Sequence, residues 1–234
     1  MNRLLSCLPV LALLSVSTIT HAKWSDDLTA DIRFSYVLTS DPGGSDQDNG
    51  DDNEIVTFNG DAIEGESGVG FAIGKRFDAV GVSLAYETIG GAYDLSGSVE
   101  ADGDILLPGT EADIDVETFM LEIDYTWEIN EILDWNVLAG MGQTTFDFST
   151  NGTRLPLANG TTFLTGNDVD NSDTSIRFGA GISYQLSDSA SLLTMLQYTN
   201  YGTAELKTGT GAAETTTSMD VESTEVSMRI KFDF

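Results

Sequence analysis

The sequence predicts an all-β fold, an eight-stranded antiparallel up-and-down transmembrane β-barrel. Three observations predict it. Eight segments alternate apolar and polar residues with period two. The connections between them are alternately short and long. The chain also ends on one such segment, Thr224 to Phe234, with an aromatic as its last residue. A β-strand sends successive side chains to opposite faces. In this last segment Thr224, Val226, Met228, Ile230, Phe232 and Phe234 therefore share one face, and Glu225, Ser227, Arg229, Lys231 and Asp233 share the other. A membrane barrel needs that division, because its closing strand meets lipid outside and a polar lumen inside.

The other segments follow the same rule. Leu28–Leu38 sets Leu28, Ala30, Ile32, Phe34, Tyr36 and Leu38 against Thr29, Asp31, Arg33, Ser35 and Val37. Gly68–Arg76 sets Val69, Phe71 and Ile73 against Gly70, Ala72 and Gly74, and Val82–Thr88 sets Val82, Leu84 and Tyr86 against Ser83, Ala85 and Glu87. Thr118–Glu128 and Trp135–Gln143 carry Phe119, Leu121, Ile123, Tyr125, Trp127, Trp135, Val137, Ala139 and Met141 on the apolar phase. Ile176–Leu186 alternates as cleanly. Leu192–Asn200 is the least regular, because Leu193 and Met195 interrupt its polar face. Segments of this length suit tilted strands that cross a bilayer in ~9–11 residues. The short turns are Phe77–Gly81, Ile129–Asp134 and Ser187–Ser191; the long connections are roughly Asp41–Ser67, Gly90–Glu117, Asp147–Asp173 and Gly202–Glu222. Short turns at one end and long loops at the other are the pattern of an outer-membrane barrel. An even strand count puts both termini at the short-turn, periplasmic end.

The N-terminus reads as an export signal. Met1–Arg3 is basic, Leu4–Val16 is mostly apolar, and Thr20-His21-Ala22 offers a small-residue cleavage site. Residues 1–22 are thus expected to be a signal peptide and residues 23–234 the barrel domain. Cys7 and His21 are the only Cys and His of the chain. Cleavage would leave no disulfide, no thiolate metal site, and no Cys or His nucleophile or base. The net charge of −28 opposes nucleic acid as a partner, since phosphate binding needs clustered Lys and Arg.

The charges are sorted by region. The long connections hold most of the 38 acidic residues and only Arg154 and Lys207 among the basic ones. Most of the remaining cations fall on the lumen phase. There Arg33, Arg76, Arg177, Arg229 and Lys231 share a face with Asp31, Glu87, Glu122 and Asp124 and form the expected lumen ion network. Unpaired buried charge is expensive, so these groups are expected to pair and to fill the lumen. Lys75 lies on the apolar phase beside a turn, where its head can reach the rim. Trp24, Trp127, Trp135, Phe232 and Phe234 all map to the short-turn end, as an aromatic girdle at the lipid–water boundary requires.

Other motifs resolve to simpler readings. Gly68/Gly70, Gly140/Gly142 and Gly179/Gly181 have no Lys at phosphate-loop spacing and sit on the lumen face, where they leave room for large side chains opposite. The first long connection carries Asp46, Asp48, Asp51, Asp52 and Glu54. Gly50 falls on a ligand position of the EF-hand spacing, so that motif fails. These carboxylates are weak candidates for loosely bound Ca²⁺ or Mg²⁺; no other cofactor and no catalytic residue is expected. Leu155-Pro156-Leu157-Ala158 and Phe163-Leu164 form an apolar stretch in the third long connection, suited to folding back on the barrel mouth or to meeting a partner.

The stretch Val116–Thr145, VETFMLEIDYTWEINEILDWNVLAGMGQTT, resembles the central hairpin of the opacity-type small outer-membrane barrels, relatives of the OmpA-type barrels. An alternating strand ends in an aromatic-rich turn, and the next closes on Gly140-Met141-Gly142. The Gly-rich sixth segment and the terminal Phe234 fit as well. The resemblance implies surface-exposed loops and insertion by the outer-membrane assembly machinery through Phe234. It also implies roles in adhesion, envelope integrity or narrow passage of solutes. It brings no catalytic residues, and the cell-wall-binding domain of the larger relatives is not expected after the last strand. The expected protein is a monomeric, non-enzymatic barrel in contact with outer-membrane lipid and lipopolysaccharide, with a packed lumen and acidic extracellular loops. The competing reading is a narrow cation-preferring channel.

Overall fold

The computed structural model describes residues 27–43, 55–56, 65–94, 99–100, 111–150, 154–156, 162–164, 169–208 and 215–234. Eight long strands close into one antiparallel barrel: β1 (Leu28–Gly43), β3 (Ser67–Phe77), β4 (Val80–Asp94), β6 (Glu111–Asn130), β7 (Leu133–Thr150), β10 (Val169–Ser187), β11 (Ala190–Thr208) and β12 (Thr215–Asp233). Each pairs with its chain neighbour, and β1 pairs with both β12 and β3 to complete the ring. At that seam the Phe234 backbone N–H donates to the Leu28 carbonyl at 2.9 Å. Closure leaves no open sheet edge, which a strand in hydrocarbon could not satisfy. Four short strands lie outside the barrel. β2 (Ile55–Val56) pairs with β5 (Val99–Glu100), and β8 (Arg154–Pro156) pairs with β9 (Thr162–Leu164). The apolar stretch of the third long connection thus contributes to a small hairpin of its own.

The alternation read from the sequence becomes the wall. Phe34, Phe119, Leu121, Ile123, Met141, Phe178 and Leu196 stand on the outer face with half or more of their surface exposed, while Arg33, Met120, Glu122 and Arg177 on the inner phase are buried. An outward apolar band on every barrel strand is what a hydrocarbon surrounding demands. Lys75 is the outward cation of β3, and its Nζ lies 5.8 Å from the Phe77 ring centroid.

The barrel strands run further than the sequence suggests. β6 has 20 residues, and β10, β11 and β12 have 19 each. The excess lies at the long-loop end. The expected fourth long connection is mostly strand, since β11 continues to Thr208 and pairs there with Thr215 of β12. Backbone pairing persists there without the outward apolar face: in the β6 extension the alternation is reversed, with Ile114 and Val116 buried inside and Asp115 and Glu117 exposed outside. Register shifts also interrupt the pattern: besides those beside the short turns at Glu128/Asn130 and Gln185/Ser187, two lie toward the long-loop end. One, at Leu38, separates Val37↔Glu225 from Thr39↔Thr224 and turns Ser40 inward. The other, at Tyr201, separates Asn200↔Glu222 from Gly202↔Val221. Gly202 has φ +91, and a Cβ there would meet the Asp173 side chain at 2.8 Å, so this bulge needs glycine on both counts.

Candidate functional site: the lumen charge network

Strand phase and closure bring three arginines around one glutamate. Glu122 of β6 is fully buried at the middle of the lumen. Arg33 of β1 reaches it with Nη1 at 2.9 Å and Nη2 at 2.7 Å, and its Nε lies 2.5 Å from Asp31. Arg177 of β10 approaches with Nη1 at 3.3 Å from Glu122 and 2.7 Å from Glu87 of β4. Arg229 of β12 completes the set at 3.4 Å. Neutral groups extend the layer. Arg177 Nε donates to Thr199 at 2.9 Å, and Arg229 Nη2 donates to Gln197 at 2.9 Å. Gln197 in turn donates to Glu225 at 2.7 Å, and the Tyr201 and Ser223 hydroxyls donate to the same carboxylate.

A second tier lies nearer the short turns. Asp124 stands 3.7 Å from both Arg76 and Lys231, and Arg76 donates to Thr126 at 3.4 Å. Thr126 donates to Asn136 at 2.8 Å. The two tiers together set Arg33, Arg76, Arg177, Arg229 and Lys231 against Asp31, Glu87, Glu122, Asp124 and Glu225. Cations and carboxylates are thus equal in number, so the wall carries a compensated interior while the chain as a whole carries −28.

Apolar layers bound the network. On the loop side Val37, Ile89, Ile114, Val116, Phe146 and Val221 lie on the lumen phase and are at most 1% exposed. On the turn side Leu138, Leu193 and Met195 form a buried cluster, which accounts for the two residues that break the polar face of β11. The lumen cavity beside Asp31, Asp124, Asn136 and Lys231 holds about 10 Å³, about the space of one water.

The glycines make this density reachable. A Cβ at Gly140 would lie 3.2 Å from Glu122 Cγ and 3.4 Å from Met120 Sδ. One at Gly179 would lie 3.2 Å from both Gln197 Cβ and Met195 Cε. Gly140→Leu is therefore expected to force Glu122 and Arg177 off their positions and to cost about 1–3 kcal/mol by overpacking. Denaturant titration of the folded barrel in lipid checks this, with Gly140→Ala as the milder control.

The structure brings all nine sequence-identified lumen residues to the inner face, though in two tiers rather than one array. Sequence reasoning missed Gln197, Tyr201 and Thr199 as network members. Odd-numbered phase along β11 would have placed them inside, but neutral side chains carry no charge signal. Of the girdle candidates, Trp127 and Trp135 face each other across β6 and β7, both about half exposed at the short-turn end. Phe232 and Phe234 are exposed at the same end. Trp24, the loop carboxylates Asp46, Asp48, Asp51, Asp52 and Glu54, and the signal segment 1–22 lie outside the described residues.

Residues 8–234 match the family described as outer membrane protein beta-barrel domain. No curated protein sequence matches the chain. Among solved structures it is similar to the outer membrane protein AlkL, determined in lipid bilayers, at 18% identity and TM-score 0.54, covering 92% of this chain and 93% of that one. It is similar to Neisserial surface protein A at 14% identity and TM-score 0.51, covering 88% and 96%. It is similar to the outer membrane protease OmpT from Escherichia coli at 12% identity and TM-score 0.51, covering 93% and 100%. Likeness at such identities concerns the fold alone. With a closed ring of eight strands, an apolar outer wall and a match over nearly its whole length, the chain belongs to the outer membrane β-barrel domain family and crosses the bacterial outer membrane with its strands.

Proposed function

We propose that this protein is a non-enzymatic surface or structural barrel whose lumen does not conduct and whose specificity resides in its acidic long connections. The observation that carries this reading is the Glu122 layer. Three guanidinium groups converge on one carboxylate across the whole width of the lumen, and an apolar layer lies above it. An eight-stranded barrel is only wide enough for its own side chains, and here charged and apolar layers occupy that width.

The remaining assignments follow from the same frame. Residues 1–22 direct export and are removed. The short turns face the periplasm, and the long connections face outward. Trp24, Trp127, Trp135, Phe232 and Phe234 anchor the periplasmic rim, and Phe234 presents the chain to the assembly machinery. The outward carboxylates meet lipopolysaccharide, with loosely held Ca²⁺ or Mg²⁺ bridging the two sets of anions. The barrel acts as a monomer. Chemistry is opposed by the absence of Cys and His after residue 21.

Osmotic swelling of liposomes containing the purified barrel tests the closed lumen. Swelling in small sugars at the rate of protein-free liposomes is expected. Swelling that rises with protein content would favour the narrow-channel reading instead.

A further inference from the structure

The ring of strands is interrupted at the loop end. The register of β10 with β11 begins at Ile176↔Asn200, yet β10 runs on to Val169 beside β7, and β11 runs on to Thr208 beside β12. A second break lies where β3 stops: β1 pairs with β3 up to Tyr36↔Ser67, and β4 continues to Asp94 beside β6. Above the upper, Glu122 tier of the charge network, the described strands therefore form two walls, β4–β6–β7–β10 and β11–β12–β1. Ile114, Val116 and Phe146 of the first wall and Tyr201, Ala204 and Val221 of the second point inward and are at most 1% exposed.

The two breaks are bridged differently. At the end of β3 the backbone does it: the Val37 N–H donates to the Glu66 carbonyl and the Gly65 N–H to the Val37 carbonyl, both at 3.0 Å. At the β10/β11 break, side chains stand in for the ladder. The Asp173 carboxylate accepts from the Thr203 N–H at 2.8 Å, and Asn171 Nδ2 donates to the Thr203 carbonyl at 2.8 Å. Two side chains of β10 thus hold both backbone groups of one residue of β11. Gly202 lets β11 pass close beside Asp173, where a Cβ would not fit. Just below, Ser175 is fully buried and its hydroxyl has no partner, so it adds no hydrogen bond to the joint.

A joint made of side chains can be released by a single group. Asp173 stands beyond the apolar band, whose last outward member on β10 is Ile176. It also accepts from the Thr174 N–H at 2.6 Å, and the two backbone donors hold its carboxyl below the usual carboxylate range. From β7 the uncharged Thr144 lies opposite it. From β12 come Asp220, which accepts from the Thr203 hydroxyl, and Glu222, which accepts from Asn200. Arg177 lies further down β10, paired with Glu87 and Glu122. A depressed carboxyl pKa contributes stability that is whole above the ordinary value of ~4 and is lost as pH falls through the lower, folded value.

We propose that the β10/β11 seam is an acid-released latch. With Asp173 ionised it holds the two walls together; with Asp173 protonated the walls part there and uncover the interior at Tyr201 and Ala204. The Glu122 tier lies below the seam, so the latch goes beyond the closed-lumen reading and does not depend on it.

Thiol accessibility in lipid nanodiscs tests the latch. Cys7 is the only cysteine of the chain, so Cys7→Ser lets one introduced thiol report at a time. Ala204→Cys reports on the seam and Ile89→Cys on the opposite break; both positions are 1% exposed. The probe is dithiodipyridine, which reacts with thiols in acid as well as at neutral pH, with rates referred to a free thiol at each pH. Asp173→Ala should speed the reaction of Ala204→Cys about tenfold, the scale of losing a hydrogen bond to a charged group, and leave Ile89→Cys unchanged. A shift from neutral pH to about pH 3 should do the same while Asp173 is present, and add nothing once it is alanine. The acid arm with Asp173 in place keeps the test independent of how that variant folds. An unchanged rate at Ala204→Cys, or equal acceleration at both positions, would overturn the latch. Acid acceleration undiminished in Asp173→Ala would overturn the role of Asp173 as its release.

Discussion

Glu122→Gln is expected to destabilise the folded barrel by about 3–5 kcal/mol, the loss typical of breaking a buried ion pair from one side. The substitution keeps shape and one acceptor oxygen but removes the charge shared by Arg33, Arg177 and Arg229. Arg33 would keep Asp31 and Arg177 would keep Glu87, but Arg229 would lose its carboxylate and retain the Gln197 amide, while Glu225 is held by Gln197, Tyr201 and Ser223. Equilibrium unfolding in lipid vesicles, read by tryptophan emission, measures the loss. Removing Arg76 should cost less, because its pair with Asp124 is long and its side chain is 27% exposed. A change below about 1 kcal/mol for Glu122→Gln, the range of exposed pairs, would mean that water already screens the upper tier.

Leu121→Arg should cost about 2–4 kcal/mol for the opposite reason. Leu121 is the chain neighbour of Glu122, yet it points outward, 50% exposed, in the middle of the apolar band of β6. An Arg there meets hydrocarbon rather than a counter-ion. An Arg at Ile129, 48% exposed at the turn end of the same strand, should cost only about 0–1 kcal/mol, the range near the interface. The pair of variants measures the position of the bilayer along β6 in the same unfolding assay. Equally small effects at the two positions would place both outside the hydrocarbon.

These two neighbours also show what the sequence makes legible. Period-two alternation assigns Leu121 to the outside and Glu122 to the inside without any coordinates, since a strand in a wall between lipid and lumen has no other choice. The eight strands, the terminal aromatic closure and the inward phase of Arg33, Arg177 and Arg229 are readable for the same reason. The pairing within the lumen is not. Arg33 and Glu122 are 89 residues apart in the chain, and they meet only through barrel closure and strand stagger. The bulges at Leu38 and Tyr201 shift the phase locally and leave no compositional mark. The neutral members Gln197 and Tyr201 are silent in a search for charge, although they donate hydrogen bonds to the buried Glu225 carboxylate. The strand extensions toward Thr208 and from Thr215 are equally silent, because outside the bilayer no apolar face needs to be presented.

The sealed upper tier is the central claim, and ion current tests it most directly. Single-channel recording of the wild-type barrel in a planar bilayer should give a flat baseline at all applied voltages. Steady ohmic steps that scale with the number of inserted proteins would contradict it, because ions would then be crossing the Glu122 layer.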